Sequence, residues 1–282
     1  MLHNLIAEFL STGLMILFGV GVHCDEVLTN TKYHGSGHIF AITTWAFGIS
    51  VCLYIFGGVC MNPAMVLAQC ALGMLPWTSF IPYVVAEFLG ALIGALICYV
   101  MYKDHFTESE GNVNPIAIRN IFSTNPNCRN LPRNFFVETL ATTVFLSAIL
   151  AVATKYETQL PIGVGLIVWA VGMGLGGTTG FAMNQARDLG PRLAFQLLPI
   201  KNKANNDWQN GLLVPGNAVL PFIFRYIILV KKRMLVASSF LLLHYVVLSQ
   251  SEYITKYRFY VRILFTFSLF LCFDNIFQNF IF

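Results

Sequence analysis

Charge is what this chain has least of: Asp, Glu, Lys and Arg make up 11% of its 282 residues, against about 25% in an ordinary globular domain. That scarcity excludes a soluble fold with a densely charged, solvated surface. The net charge of +4 is modest and the basic residues are scattered without interleaved aromatics, which excludes a nucleic-acid interface. Paired cysteines are lacking too. The seven cysteines occur singly, with Cys52, Cys60, Cys70 and Cys98 in or beside apolar segments, so neither a zinc site nor a disulfide framework is spelled out. They read as small apolar packers. His3, His23, His34, His38 and His105 fall at segment ends or in loops, without metal-ligand spacing, and read as peripheral. No nucleophile–base pair and no phosphate-binding glycine loop stands out, so nothing supports an enzyme, a cofactor or a metal. Met1 to Glu8 lack the Lys or Arg that opens a secretory signal, and read as the start of a retained first span.

What the chain has instead is apolar length. Hydrophobic residues make up 56% of it, and the mean hydropathy is +0.67. A membrane-spanning helix needs roughly 20 largely apolar residues. Stretches at about 4–23, 38–58, 80–102, 134–153 and 161–176 predict five spans, and the length leaves no room for a separate soluble domain. The connection from Lys103 to Arg133 holds Asn112, Asn114, Pro115, Asn125, Pro126 and Pro132, a loop composition.

Two shorter apolar segments begin at Asn62-Pro63-Ala64 and Asn184-Gln185-Ala186. Both are too short to cross the hydrocarbon and read as half-helices. Non-helical backbone at that depth is tolerated only where protein or water satisfies it, and a matched pair in two halves marks a lined pathway. The halves do match: Ala7-Glu8-Phe9-Leu10-Ser11-Thr12 opens one and Val137-Glu138-Thr139-Leu140-Ala141-Thr142 the other. We therefore divide the chain into a first repeat, 1–125, with three spans, a second, 126–216, with two, and a hydrophobic region, 217–282, of different composition.

Ala7-Glu8-Phe9, Trp45, Asn62-Pro63-Ala64 and the run Gly180-Phe181-Ala182-Met183-Asn184-Gln185-Ala186-Arg187-Asp188-Leu189-Gly190-Pro191-Arg192 carry a resemblance to the aquaporin superfamily over roughly residues 5 to 215. The last run is similar to the glycerol-facilitator version of that superfamily's second signature. The resemblance implies an all-α membrane protein of six transmembrane helices and two re-entrant half-helices in an inverted repeat, with a pore inside each subunit of a homotetramer. At the pore centre it places Asn62, Pro63, Ala64, Asn184, Gln185 and Ala186, with both asparagine amides turned to the lumen. Proline at a first helical position sacrifices no hydrogen bond, and the helix dipoles put partial positive charge at both N-termini. Gln185 stands where the family has proline, and a looser turn with the pore retained is expected there. Gly57 to Met61 form a shorter approach to Asn62 than the family's.

The selectivity filter implied by the resemblance is Trp45, Gly172, Phe181 and Arg187. Arg187 would offer its fork of donors to adjacent hydroxyls, Trp45 and Phe181 an apolar corner, and Gly172 an open lumen. No histidine replaces Gly172 or Phe181, as in water-selective relatives. Asp188 resembles the acidic residue of the glycerol branch and would hold the loop and the half-helix start. Ionised carboxylates inside spans are costly, so Glu8 and Glu138 should accept hydrogen bonds from the half-helix loops. Glu87 belongs to a third-span pattern of small residues that permits close helix packing.

The function implied is passive diffusion of glycerol and other small neutral solutes, with water, through a multi-pass protein of the plasma membrane. A water or small-solute channel for hydrogen peroxide, urea or dihydroxyacetone, an inactive remnant, and a proton-coupled transporter are the alternatives. The family's sixth span is rich in Gly and Ala, whereas composition here changes at Gly216 toward Phe, Leu, Ile, Tyr and Ser. A shifted reading frame or a divergent tail accounts for that, and residues 218–230 serving as a short sixth span is the other reading. The family orientation puts the N-terminus in the cytoplasm, against the Lys and Arg bias of the loops.

Overall fold

The computed structural model describes residues 1–201 and 203–211. The region from Asn217, and with it the sixth span and the frame question, lies outside the described residues. Within them the chain forms α1 (Leu2–Val27), α2 (His38–Phe56), α3 (Pro63–Ala71), α4 (Phe80–Met101), α5 (Lys103–Glu108), α6 (Pro115–Phe122), α7 (Leu131–Lys155), α8 (Leu160–Leu175), α9 (Gln185–Leu197) and α10 (Trp208–Gly211). By length and composition α1, α2, α4 and α7 can each cross a membrane, and α8 is a shorter apolar helix. In hydrocarbon every backbone polar group must be satisfied within its own segment, which leaves the helix as the conformation for such stretches.

Burial runs opposite to that of a soluble protein. Ile81, Val85, Leu89, Ile93, Ile97 and Val100 form an exposed apolar stripe along α4, at the spacing of one helix face. Glu8, Glu87, Glu138, Arg187, Asp188 and Arg192 are all buried. Apolar side chains outward and charges inward is the arrangement a lipid solvent selects.

Small residues set how close the helices come. A Cβ on Gly13 would lie 3.2 Å from the Gly90 carbonyl oxygen, and one on Gly90 would collide with the carbonyl of Phe9. Thus α1 and α4 meet backbone to backbone, and Gly90 and Gly94 supply the small-xxx-small spacing that allows it. On the other side, Gly165 of α8 sits against Ala46 and Ser50 of α2.

The 103–133 connection is not the loop expected from its composition. It holds α5 and α6, and the reason is local: Asn114 caps α6 by accepting from the Ile116 amide at 2.8 Å, and Pro115 occupies the first helical position. The same Asn-Pro pair that signals a turn also starts a helix when an apolar face follows, here Ile118, Ile121 and Phe122, all buried.

Candidate functional site

The two short helices α3 and α9 meet at their starts. Asn62 caps α3, its side chain accepting from the Ala64 amide at 2.9 Å. Asn184 caps α9 and accepts from the Arg187 amide at 3.0 Å. Each asparagine then reaches across: Asn62 Nδ2 donates to the Met183 carbonyl at 2.9 Å, and Asn184 Nδ2 to the Met61 carbonyl at 2.6 Å. The carbonyls are available because Met61 and Met183 both take left-handed backbone, φ 52° and φ 48°, a conformation costly for a long side chain and held only where surroundings enforce it.

Carboxylates do the enforcing. Glu8 accepts from the Cys60 amide at 2.7 Å and the Met61 amide at 2.9 Å, and Glu87 accepts from the Asn62 amide at 2.7 Å. Three successive N–H groups of the first loop are thereby satisfied by two helices. Glu138 does the same in the second loop, accepting from Ala182 and Met183 at 3.2 Å each. Glu87, read from sequence as part of a packing pattern alone, is thus also a loop anchor.

Gln185 does not loosen its turn. Asn184 has φ −156° and ψ 115°, against −159° and 113° for Asn62. The asparagine cap and the Glu138 clamp hold this backbone with Gln185 at the first helical position.

Above the crossing, Trp45, Phe181 and Arg187 converge. The Arg187 guanidinium carbon lies 4.3 Å from the Trp45 ring centroid, a cation–π distance. Phe181, in left-handed backbone with φ 41°, lies 3.4 Å from where a Cβ on Gly172 would stand. The Trp45 ring lies against Gly19 of α1, where a Cβ would overlap it. Trp45, Phe181 and Arg187 line a narrow pocket of about 30 Å³ with Asn62 and Asn184, and Phe181 and Arg187 also line, with Gly172 and His23, a wider cavity of about 450 Å³ at the C-terminal end of α1.

Behind the constriction, Asp188 and Arg192 form an ion pair at 2.8 Å with both side chains fully buried. Asp188 accepts from the Thr124 amide and hydroxyl at 2.8 and 2.6 Å. Arg192 donates to the carbonyls of Asn206, Asp207 and Thr124 at 2.6 to 3.1 Å, so both charges are satisfied, the condition for burying them. The pair ties α9 to the end of α6 and to the segment before α10. Arg192 has no role in the sequence reading, although the four-residue spacing from Asp188 signals a helical ion pair. At the surface, Arg129 grips Asp207 with two bonds of 2.9 and 3.0 Å. Burial pushes the Asp207 carboxyl up, but bonds from Arg129 and the Asn210 amide, with the charges of Arg129 and Arg119, outweigh it, and the net direction is down.

His23 is not peripheral, and His38, although exposed, lies beside it. Both line the wider cavity, and His23 Nε2 accepts from Trp45 Nε1 at 3.2 Å. The last turns of a spanning helix look like a segment end in sequence, whereas here they wall the pore mouth.

The major intrinsic protein family model matches residues 1–213. Over 224 residues the chain is 64% identical to glycerol uptake facilitator protein 4 of Lactiplantibacillus plantarum, covering 79% of this chain and 93% of that protein. It is 63% identical, with the same coverage, to the D/L-lactic acid transporter of the same organism. Among solved structures the aquaglyceroporin from Plasmodium falciparum aligns with TM-score 0.69 at 25% identity, covering 80% of this chain and 96% of that one. The duplicated asparagine caps, the helices that surround them and these alignments lead to one conclusion: the chain belongs to the major intrinsic protein family and has an aquaporin-like fold.

Proposed function

We propose that the chain is a passive, uncoupled channel for glycerol and other small neutral solutes, with water. The observation that carries this reading is the corner where Arg187 stacks over Trp45 at 4.3 Å with Phe181 beside Gly172. A guanidinium presents donors in a fixed plane suited to two adjacent hydroxyls, while the aromatic faces take the carbon chain. A polyol is thus met on both of its sides, and its loss of hydration is offset as it enters.

Farther in, each asparagine amide uses one N–H on the opposite loop and, having two, keeps one for a passing hydroxyl. The α3 and α9 N-termini add partial positive charge, and with Arg187 they disfavour cations while admitting neutral polar molecules. Trp45, Gly172, Phe181 and Arg187 serve as the filter, Asn62, Pro63, Ala64, Asn184, Gln185 and Ala186 as the pore centre, and Glu8, Glu138 and Asp188 as its supports. The channel belongs in the plasma membrane as a multi-pass homotetramer.

A second reading, undissociated lactic acid as a substrate, is favoured by the 63% identity to a protein named for D/L-lactic acid transport. The neutral acid also carries adjacent oxygens on a short carbon chain. Stopped-flow light scattering on proteoliposomes separates these readings. Rapid glycerol flux that a pH gradient does not drive uphill supports the facilitator, and water flux alone overturns it. Uphill accumulation under a proton gradient indicates a coupled transporter, and inserted protein without any flux an inactive copy.

A further inference from the structure

The mouth of the pore contains a chain of polar contacts that neither the half-helices nor the filter assignment uses. Trp45 Nε1, which can only donate, points at His23 Nε2 at 3.2 Å. That nitrogen must therefore offer its lone pair, which places the ring proton on Nδ1. Nδ1 faces Glu26 Oε2 at 3.4 Å, and the other oxygen of Glu26 meets His38 Nδ1 at 3.1 Å. The His23 side chain is 17% exposed and that of His38 83%. Among the described residues, the charged or titratable groups facing His23 are Glu26 on its own helix, His38 of α2 and Arg187 of α9.

Trp45 has little freedom apart from this bond. Gly19 lies against one part of its ring and Arg187 lies over it, so its indole edge is fixed by His23 and its face by its neighbours. We infer that His23 is a positioning residue of the constriction: its neutral ring holds the Trp45 indole where Arg187 can stack on it, and a second ring proton releases that hold. An unperturbed imidazole gains its proton between pH 8 and pH 5; at His23 burial and the Arg187 charge oppose that proton and Glu26 favours it, so the acid arm of the test is where the change is read. Once it does, Nε2–H confronts Nε1–H, two donors with no acceptor between them. The indole must tilt, and against Gly19 and Arg187 a tilt moves ring atoms into the lumen. Acid then narrows the path for a polyol by a local change in one contact, with no movement of helices.

The inference rests on the channel reading above, and one experiment tells their failures apart. Glycerol flux is measured in proteoliposomes with equal pH on both sides, at pH 7.5 and pH 5, for the wild type, His23→Gln and His38→Gln. The wild type should lose about threefold or more of its flux at pH 5, reversibly, the scale of one hydrogen bond exchanged for a donor clash. His23→Gln retains a side-chain acceptor but cannot gain a proton, so its ratio of flux at the two pH values should be close to one. His38→Gln should keep the loss. If His23→Gln does not insert, His23→Asn takes its place, and the wild-type profile is decisive in itself. Wild-type flux that is the same at both pH values overturns the inference and leaves the channel standing, as does an acid loss that persists in His23→Gln or vanishes in His38→Gln. Absence of glycerol flux at any pH overturns both.

Discussion

The Asn62 side chain hydrogen-bonds to the Met183 carbonyl at 2.9 Å, so the start of one half-helix is fastened to the loop that launches the other. The converse bond, from Asn184 to Met61 at 2.6 Å, makes the crossing reciprocal. Neither half can adjust its loop without disturbing its counterpart, and the consequences are measurable.

Glu8→Ala leaves the Cys60 and Met61 amides without their acceptor in a buried site. Each such loss costs about 1–3 kcal/mol, so the variant should be recovered in lower yield, with a depressed melting temperature in detergent. Glu138→Ala should behave alike through Ala182 and Met183. Melting temperatures equal to wild type in both variants would show that the loops hold without their carboxylates.

Gly19→Val places a side chain where the Trp45 ring lies. Overpacking of this kind costs about 1–3 kcal/mol, and the cheapest relief is displacement of the indole. Glycerol permeability should fall about tenfold. Gly21→Ala is the matched control, since its new methyl finds only the Cys98 sulfur, at 4.0 Å, and its permeability should stay within twofold. Equal effects of the two substitutions would contradict the placement of Trp45.

Arg187→Ala removes the cation stacked on Trp45 and widens the filter. Discrimination among glycerol, urea and water should weaken, with urea and water gaining relative to glycerol. Unchanged permeabilities for all three solutes would defeat the filter assignment.

Asp207 titrates below the ordinary carboxylate value, so its charge binds fewer protons in the folded than in the unfolded chain. Its contribution is complete above about pH 4, the unfolded value, and is lost as pH falls through the lowered folded value. Asp207→Asn should therefore lose less melting temperature than wild type between pH 5 and pH 3. An identical acid response in the two proteins would mean that the Arg129 grip does not contribute.

The spans were legible because lipid leaves so few choices: a long apolar run must close its own hydrogen bonds, and α1, α2, α4, α7 and α8 lie where hydropathy puts them. The starts of α3 and α9 were legible for a related reason, since an asparagine cap is a local signal. The helices α5 and α6 were hidden because Asn114-Pro115 is spelled the same way in a turn and in a cap. Only the burial of Ile118, Ile121 and Phe122 distinguishes the two.

By itself, the sequence determined the family, the first five spans and the two asparagine-capped helix starts, because composition and short-range capping are written in contiguous residues. Tertiary structure alone decided that Glu87 joins Glu8 around one loop, that Arg192 neutralises Asp188 among three carbonyls, and that His23 holds Trp45 from another helix. The first and last of these join different helices, and Arg192 with Asp188, four apart on α9, reaches carbonyls of separate segments; such meetings depend on helix crossing, and the crossing depends on where glycines let backbones touch. That distance is set in three dimensions, by Gly13 against Gly90 and by Gly19 beneath Trp45, and no single stretch of the chain encodes it.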